Sequence, residues 1–223
     1  MTNFDFLKEE PKFDSFSDVA VSAEKVFSID IEASAINCRR AMEFAVKWMY
    51  SVDSALSMPY QDTLVSLMNT ESFRDIVGLD LWKRMDFIRR VGNNAAHNGH
   101  KVNADQVHLS LENLFIFLDF VTYCYGEHYE ERTYDAHLLD SAASGETVRA
   151  AVPEVDLKAL MAENQVLKAE LTARRQEQQE TYIPKPLDLS EYKTRKIYID
   201  TMLMDAGGIE GQNWLNEVEM PGM

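Results

Sequence analysis

A bundle of α-helices is the fold the sequence predicts for residues 1–139, and three observations predict it. Apolar residues recur at three- and four-residue steps from residue 14 to residue 126. No run there alternates long enough to argue for a sheet. About five such stretches share one compact segment, which implies a bundle.

The stretches follow in order. "SFSDVAVSAEKVF" sets Phe16, Val19, Ala20, Ala23, Val26 and Phe27 on one helical face. "SAINCRRAMEFAVKWMYSVD" sets Cys38, Ala41, Met42, Ala45, Trp48, Met49 and Val52 on one face, with Arg39, Arg40, Glu43 and Lys47 off it. Arg39–Glu43 and Glu43–Lys47 are i,i+4 pairs that support the helix. "YQDTLVSLMNTESFRDIV" is weaker and reads as two short helices. "LDLWKRMDFIRRV" repeats the pattern with Leu81, Met85 and Ile88. "NADQVHLSLENLFIFLDFVTYCYG" is the strongest, with Val107, Leu111, Leu114, Leu118, Val121 and Tyr125 in line; Asn103 is placed to cap it and Gly126 to end it.

Composition then changes. "ASGETVRAAVPEV" is small, polar and punctuated by proline, as a linker is. In residues 157–171, Leu157, Leu160, Asn164, Leu167 and Leu171 step by three and four, the a/d seam of a coiled coil. A lone asparagine at an a position sets register in parallel dimers, so a homodimer through 157–171 is one reading. The other is a helix packed on its own chain or a solvated spacer. "YIPKPLDLSEY" is a second linker, with prolines that favour extended backbone. Ser190 is placed to cap a further helix over "EYKTRKIYIDTMLMDA", closed by Gly207 and Gly208, and one strand is read after it. That tail is too small to bury a core alone.

The whole chain divides as 1–139 helical bundle, 140–189 linker with a short coiled-coil-like helix, and 190–223 the beginning of another domain. Of its 223 residues, 46% are hydrophobic and 26% charged, so a core is available, and the formal charge is −15. Such an acidic chain is a poor general nucleic-acid binder, because neutralising phosphate dominates that affinity; contact with nucleic acid needs a local basic patch. The two cysteines, Cys38 and Cys124, fall on apolar faces and read as buried thiols. The N-terminus lacks the basic start and apolar run of a signal peptide, and "LFIFLDFV" is well short of the roughly 20 residues that span a bilayer, so the expectation is a cytoplasmic protein.

"FDFLKEEPKFDSFSD", "RRAMEFAVKWMYSVDSALSMPYQDTL", "FRDIV", "RMDFIRRVGNNAAH" and "YCYGEHYEERTYD" together resemble the N-terminal helical domain of type I restriction enzyme R subunits, which looks like a member of the HEPN group of helical bundles. "TRKIYIDTMLMDAG" and "NEVEMPGM" are similar to the entry into the R subunit's nuclease domain. The blocks cover most of residues 3–139 and 190–223. The resemblance implies a mainly α chain: a HEPN-like bundle, a helical spacer, then the first helix and strand of a truncated α/β nuclease domain. It also implies a parent that cleaves DNA with a metal-dependent nuclease and moves it with an ATP-driven motor, in company with modification and specificity subunits. ATP and Mg²⁺ would serve that parent. No GxxxxGK[ST] loop and no completed D…ExK carboxylate set occurs in the 223 residues, so no cofactor is expected here, and this stretch is not expected to cut DNA by itself. "AGGIEGQNW" departs from the family pattern, in which an aromatic follows the first glycine.

HEPN ribonucleases carry an arginine, an apolar residue and a histidine, with four to six residues between arginine and histidine. "RVGNNAAH" fits the loose form with Arg90, Val91 and, after six intervening residues, His97, and Asn94 is placed to orient either partner. Arginine can hold a phosphate with its fork of donors, and histidine can move protons in transesterification. The competing reading makes Gly92 the residue just past a helix ending near Arg90, with Asn93 and Asn94 bonding freed carbonyls and His97 a polar plug. A third makes the neighbourhood a contact for nucleic acid or a partner. Lys83, Arg84, Arg89, Arg90 and Lys101 outnumber Asp80 and Asp86 there, and Arg39 and Arg40 add to them if their helix lies alongside. A solvated helix face is the plain alternative. His97, His100 and His108 lack a second ligand pair and do not make a metal site. In "YCYGEHYEERTYD", Tyr123, Tyr125, Tyr129 and Tyr134 read either as a docking surface or as a helix end folded back over the bundle.

Two functions follow: an interaction region of an R subunit, binding its partner subunits or DNA beside them, and a HEPN-type ribonuclease using Arg90 and His97.

Overall fold

The computed structural model describes residues 1–96, 102–141 and 157–183, with 140, 141 and 157–165 described at the level of the backbone. Six α-helices order the described residues: α1 (Asp14–Lys25), α2 (Ile31–Val52), α3 (Leu64–Met68), α4 (Glu71–Ala96), α5 (Ala104–Tyr125) and α6 (Leu157–Gln179). Short 3-10 turns cover Asp5–Glu9, Pro11–Phe13 and Ala136–Ser141, and no strand occurs among the described residues. The predicted helical bundle is present. The expected linker at 142–156, the tail helix capped by Ser190 and the strand after it lie outside the described residues.

α2, α3 and α5 begin where the sequence supplies a side-chain acceptor for the orphan N–H groups of a first turn. Asp30 receives the Ala33 N–H at 2.9 Å and caps α2, which begins at Ile31, three residues before the stretch read from the sequence. Thr63 receives the Ser66 N–H and starts α3. Asn103 and Gln106 bond each other's backbone N–H at 2.8 and 3.1 Å, a capping box at the head of α5. Gly126 ends α5 as expected, and the reason is room: a Cβ there would fall 2.9 Å from Glu10 Oε1.

α5 is the axis of the bundle. Its predicted stripe is buried, and so are Leu109, Phe115, Ile116, Phe117 and Phe120 on its other faces. A helix apolar all round belongs inside, with neighbours on every side. It alone among the described helices has the length and hydropathy of a membrane span, and 89% of that window is buried in the bundle. Phe13 and Phe16 meet the Trp48 ring at 5.3 and 5.9 Å, and Trp48 meets Tyr125 at 5.4 Å, which ties α1 through α2 to the end of α5. Cys38 and Cys124 are buried free thiols, and burial pushes both above their ordinary range.

α4 differs from expectation at both ends. It begins in the second of the two short helices and is broken only at Gly78, where φ is +71° and ψ 166°, a conformation nearly confined to glycine. It continues past Arg90 to Ala96, so Gly92 is not a helix-ending residue and Asn93 and Asn94 lie within the helix. Gly92 is instead the point of closest approach to α2. A Cβ there would lie 2.5 Å from Arg39 Cβ and 3.1 Å from the Ala35 carbonyl.

The N-terminal residues, unread as structure in the sequence, close the far side. Phe4 and Phe6 pack edge-on to Phe115, at 6.3 and 5.8 Å. The Asn3 N–H donates to both oxygens of the buried Glu24 carboxylate at 3.0 Å, and the Asn3 amide brackets the Asp135 backbone at 2.9 and 2.7 Å.

Two outcomes follow. Gly92→Ala is expected to cost about 1–3 kcal/mol in urea unfolding, the usual range for overpacking, because backbone on one side and a β-carbon on the other must both give way. Burial pushes the Glu24 carboxyl above its ordinary value, against the pull of the Asn3 bonds. The folded chain thus keeps a proton there after the unfolded chain has lost it, and this group's contribution to stability falls as pH rises from 4.5 through the folded value. Glu24→Gln, which keeps an acceptor without the charge, is expected to flatten that slope and raise the Tm at pH 7.

Candidate functional site

The Arg90 stretch lies on the last three turns of α4. Arg89 and Arg90 both turn back to Asp86, their Nε atoms 2.9 and 2.7 Å from its two carboxylate oxygens. The i,i+3 and i,i+4 spacings allow one aspartate to hold both. Asn94 is buried, at 5% exposure, and so faces the packing of α4 rather than an open cleft. His97, His100 and Lys101 lie outside the described residues, so the geometry of an Arg90–His97 pair is not among the contacts seen.

The other basic candidates are spread over flanks of the same two helices. α2 does lie alongside α4, with Arg39 against Gly92. Arg39 and Lys47 share Glu43, at 3.5 and 2.9 Å, which are the two pairs read from the sequence. Arg40 is exposed, its guanidinium 5.9 Å from the Phe44 ring. Lys83 is exposed on α4, whereas Arg84 turns toward α5 and donates to the buried Asn113 at 3.3 Å. Among the described residues no group of three or more His, Cys, Asp or Glu is placed to hold a metal ion. His108 instead packs its ring near Phe27 and Tyr134.

The "YCYGEHYEERTYD" stretch folds back over the bundle. Tyr125 is fully buried, Tyr134 packs on Phe115 at 5.7 Å, and the Arg132 guanidinium sits 4.7 Å over Phe6. The Tyr129 hydroxyl donates to the buried Asp119 at 3.2 Å.

The densest charged centre is elsewhere. Asp53, directly after α2, has no solvent exposure, and Arg175 of α6 is also buried. Arg175 Nε lies 2.7 Å from Asp53 Oδ2 and Nη2 3.2 Å from Oδ1, a two-pronged pair. The Tyr125 hydroxyl donates to Oδ2 at 2.7 Å and the Ala55 N–H to Oδ1 at 2.9 Å. Every lone-pair direction of the carboxylate is thereby used. Burial alone would raise the Asp53 carboxyl; the Arg175, Tyr125 and Ala55 bonds outweigh it and hold the group below its ordinary value. The neighbouring contacts extend the joint: Ser54 N–H to Thr172 Oγ1 at 2.9 Å, Arg174 to the Gly126 carbonyl at 3.2 Å, and the Gln179 amide to the Asp75 carbonyl at 2.8 Å. α6 therefore packs on its own chain from Leu171 onward, the second of the two readings of that helix.

Neither partner was singled out in the sequence. A signal exists. Asp53 falls four residues after Met49 and Arg175 four after Leu171, so each continues an apolar stripe with a charge, of opposite sign. Charges on buried stripes pair or are not tolerated.

No family model, no curated protein and no solved structure matches the chain.

Removing one member of the pair leaves the other buried without its counterion. Asp53→Asn or Arg175→Met alone is expected to lower stability at pH 7 by about 3–5 kcal/mol, and the apolar double replacement Asp53→Leu with Arg175→Met by much less. Urea unfolding of the three variants checks this. Because the folded Asp53 titrates below its unfolded value of 3.8, its contribution is complete above that pH and is lost as pH falls through the folded value. Asp53→Asn is expected to remove that acid limb from the Tm–pH curve.

Proposed function

We propose that this chain is the HEPN-like helical docking region of the R subunit of a type I restriction–modification enzyme. In this reading it works in the cytoplasm, binds the modification and specificity subunits or DNA held beside them, and is not itself the catalyst. The ATP- and Mg²⁺-dependent cleavage of DNA belongs to the full-length parent. The observation that carries the reading is the joint between Asp53 and Arg175. It seats α6 on the bundle in one defined position, as suits a spacer that presents a helical head to a complex. Exposed cations on α2 and α4, Arg40 and Lys83, offer contacts in an otherwise acidic chain. The resemblance of the N-terminal blocks supplies the family.

The ribonuclease alternative requires Arg90 to hold a phosphate. Asp86 binds its Nε at 2.7 Å, which partly neutralises the charge a phosphate would be drawn to. This weighs toward the docking reading.

The test is capture. The tagged 223-residue chain is co-expressed with modification and specificity subunits encoded beside it, and co-elution of a stable complex is expected. Arg40→Glu with Lys83→Glu should weaken that complex about tenfold or more while leaving the circular dichroism and Tm intact, since both side chains are exposed. Metal-dependent DNA scission or ATP turnover by the purified chain would sink the proposal. So would RNA cleavage that Arg90→Ala abolishes, which would put the ribonuclease in its place.

A further inference from the structure

α6 is held in an unusual way for a helix on a bundle. Of its residues from Val166 onward, Leu171 is the one buried aliphatic side chain; Thr172 and Arg175 are the others below the surface. The contacts that fix it are polar: Thr172 to Ser54, Arg174 to Gly126, Arg175 to Asp53, Gln179 to Asp75. One turn toward the N-terminus, Val166 and Leu167 are 61% and 50% exposed. The helix thus leaves the bundle with an apolar edge uncovered.

Leu167 belongs to the seam of Leu157, Leu160, Asn164, Leu167 and Leu171, and Val166 stands beside it. The seam and the bundle compete for one residue. Leu171 cannot fill a hole on a second helix while it is buried here. Leu167, next on the seam, waits outside. A stripe spaced by threes and fours with one asparagine at an a position fits a second copy of itself, in parallel, better than an unlike partner.

We propose that Asp53, Tyr125 and Arg175 form a catch that keeps α6 on its own bundle, and that opening the catch hands the α6 leucine seam to a second copy of this chain. A polar joint suits a catch. Its geometry is specific, so the closed position is unique, yet with one leucine beneath it the helix belongs to the part of the molecule that opens before the core does. The closed chain is monomeric; the open chain pairs through α6. The proposal rests on the packing of α6 and the seam, and holds whichever partners the bundle has.

Hydrogen exchange and sedimentation on the full chain test it together. In Arg175→Gln, amides of residues 168–179 are expected to exchange faster by on the order of a hundredfold or more and to become the least protected of the helical amides, while those in α2 and α5 lose some protection with the lower global stability but stay slow. The mass is expected to move from 25.5 kDa toward twice that value as concentration rises. Adding Leu167→Lys should return the monomer and leave the fast exchange of α6 in place, because Leu167 does not hold α6 to the bundle. Exchange in α2 and α5 as fast as in α6 would overturn the proposal, since the pair would then be a foundation of the core and no catch. A released α6 with a monomeric mass at every concentration would also overturn it, as would a dimer that survives Leu167→Lys.

Discussion

Asp53 is the charge around which the rest of the molecule is arranged. A carboxylate with no access to water demands a full set of donors, and only three elements meeting at one point provide them. α2 ends there and supplies the acid and the Ala55 N–H. α5 ends there and supplies Tyr125, which is also braced against Trp48. α6 crosses there and supplies Arg175. The apolar core would tolerate several ways of laying a helix over the ends of α2 and α5. The carboxylate tolerates one. Buried ion pairs add little net stability compared with apolar packing, but they are intolerant of misplacement. The position of α6 is therefore set by a charge and a fork of donors, with hydrophobic burial in a minor part.

The same device joins other distant segments. Asn3 clasps Glu24 and Asp135, so the N-terminus, α1 and the strap after α5 meet at a buried carboxylate. Glu10 receives the Glu127 N–H with both oxygens just past the end of α5. Each clasp lies where the chain has left regular helix and its backbone donors need partners. The two buried carboxylates respond oppositely to protons. Asp53 meets a guanidinium and is held ionised; Glu24 is pushed toward its neutral form by burial, against the bonds from Asn3. Acid thus loosens the α6 joint and relieves the buried charge on Glu24.

The helices were legible because periodicity is a local property. The buried faces of α2 and α5 and the cap at Asn103 could be read from residues within one or two turns of each other. The clasps could not, since Asp53 and Arg175 are 122 residues apart and Asn3 and Asp135 are 132 apart. The misreading of Gly92 has the same origin. A glycine after two arginines satisfies the local rule for a helix end, and the actual reason for it, the approach of Arg39 and Ala35, belongs to another helix. α5 was read as one stripe because a stripe is what an outer helix shows; its burial on all sides follows from its neighbours. The charged continuation of two apolar stripes was the one local trace of the Asp53–Arg175 joint.

The arginine-rich turn of α4 shows how far local charge can mislead about a site. Lys83, Arg84, Arg89 and Arg90 stand within eight residues, yet they leave the helix in three directions with three kinds of partner. Asp86 takes two of them, Asn113 takes one, and Lys83 alone turns fully to solvent. Among the described residues, a polyanion approaching this face meets Lys83 from α4 and Arg40 from α2 as exposed cations, against a net charge of −15 for the whole chain. Long-range attraction of a polyanion is then unfavourable, and contact at this face must rest on close complementarity.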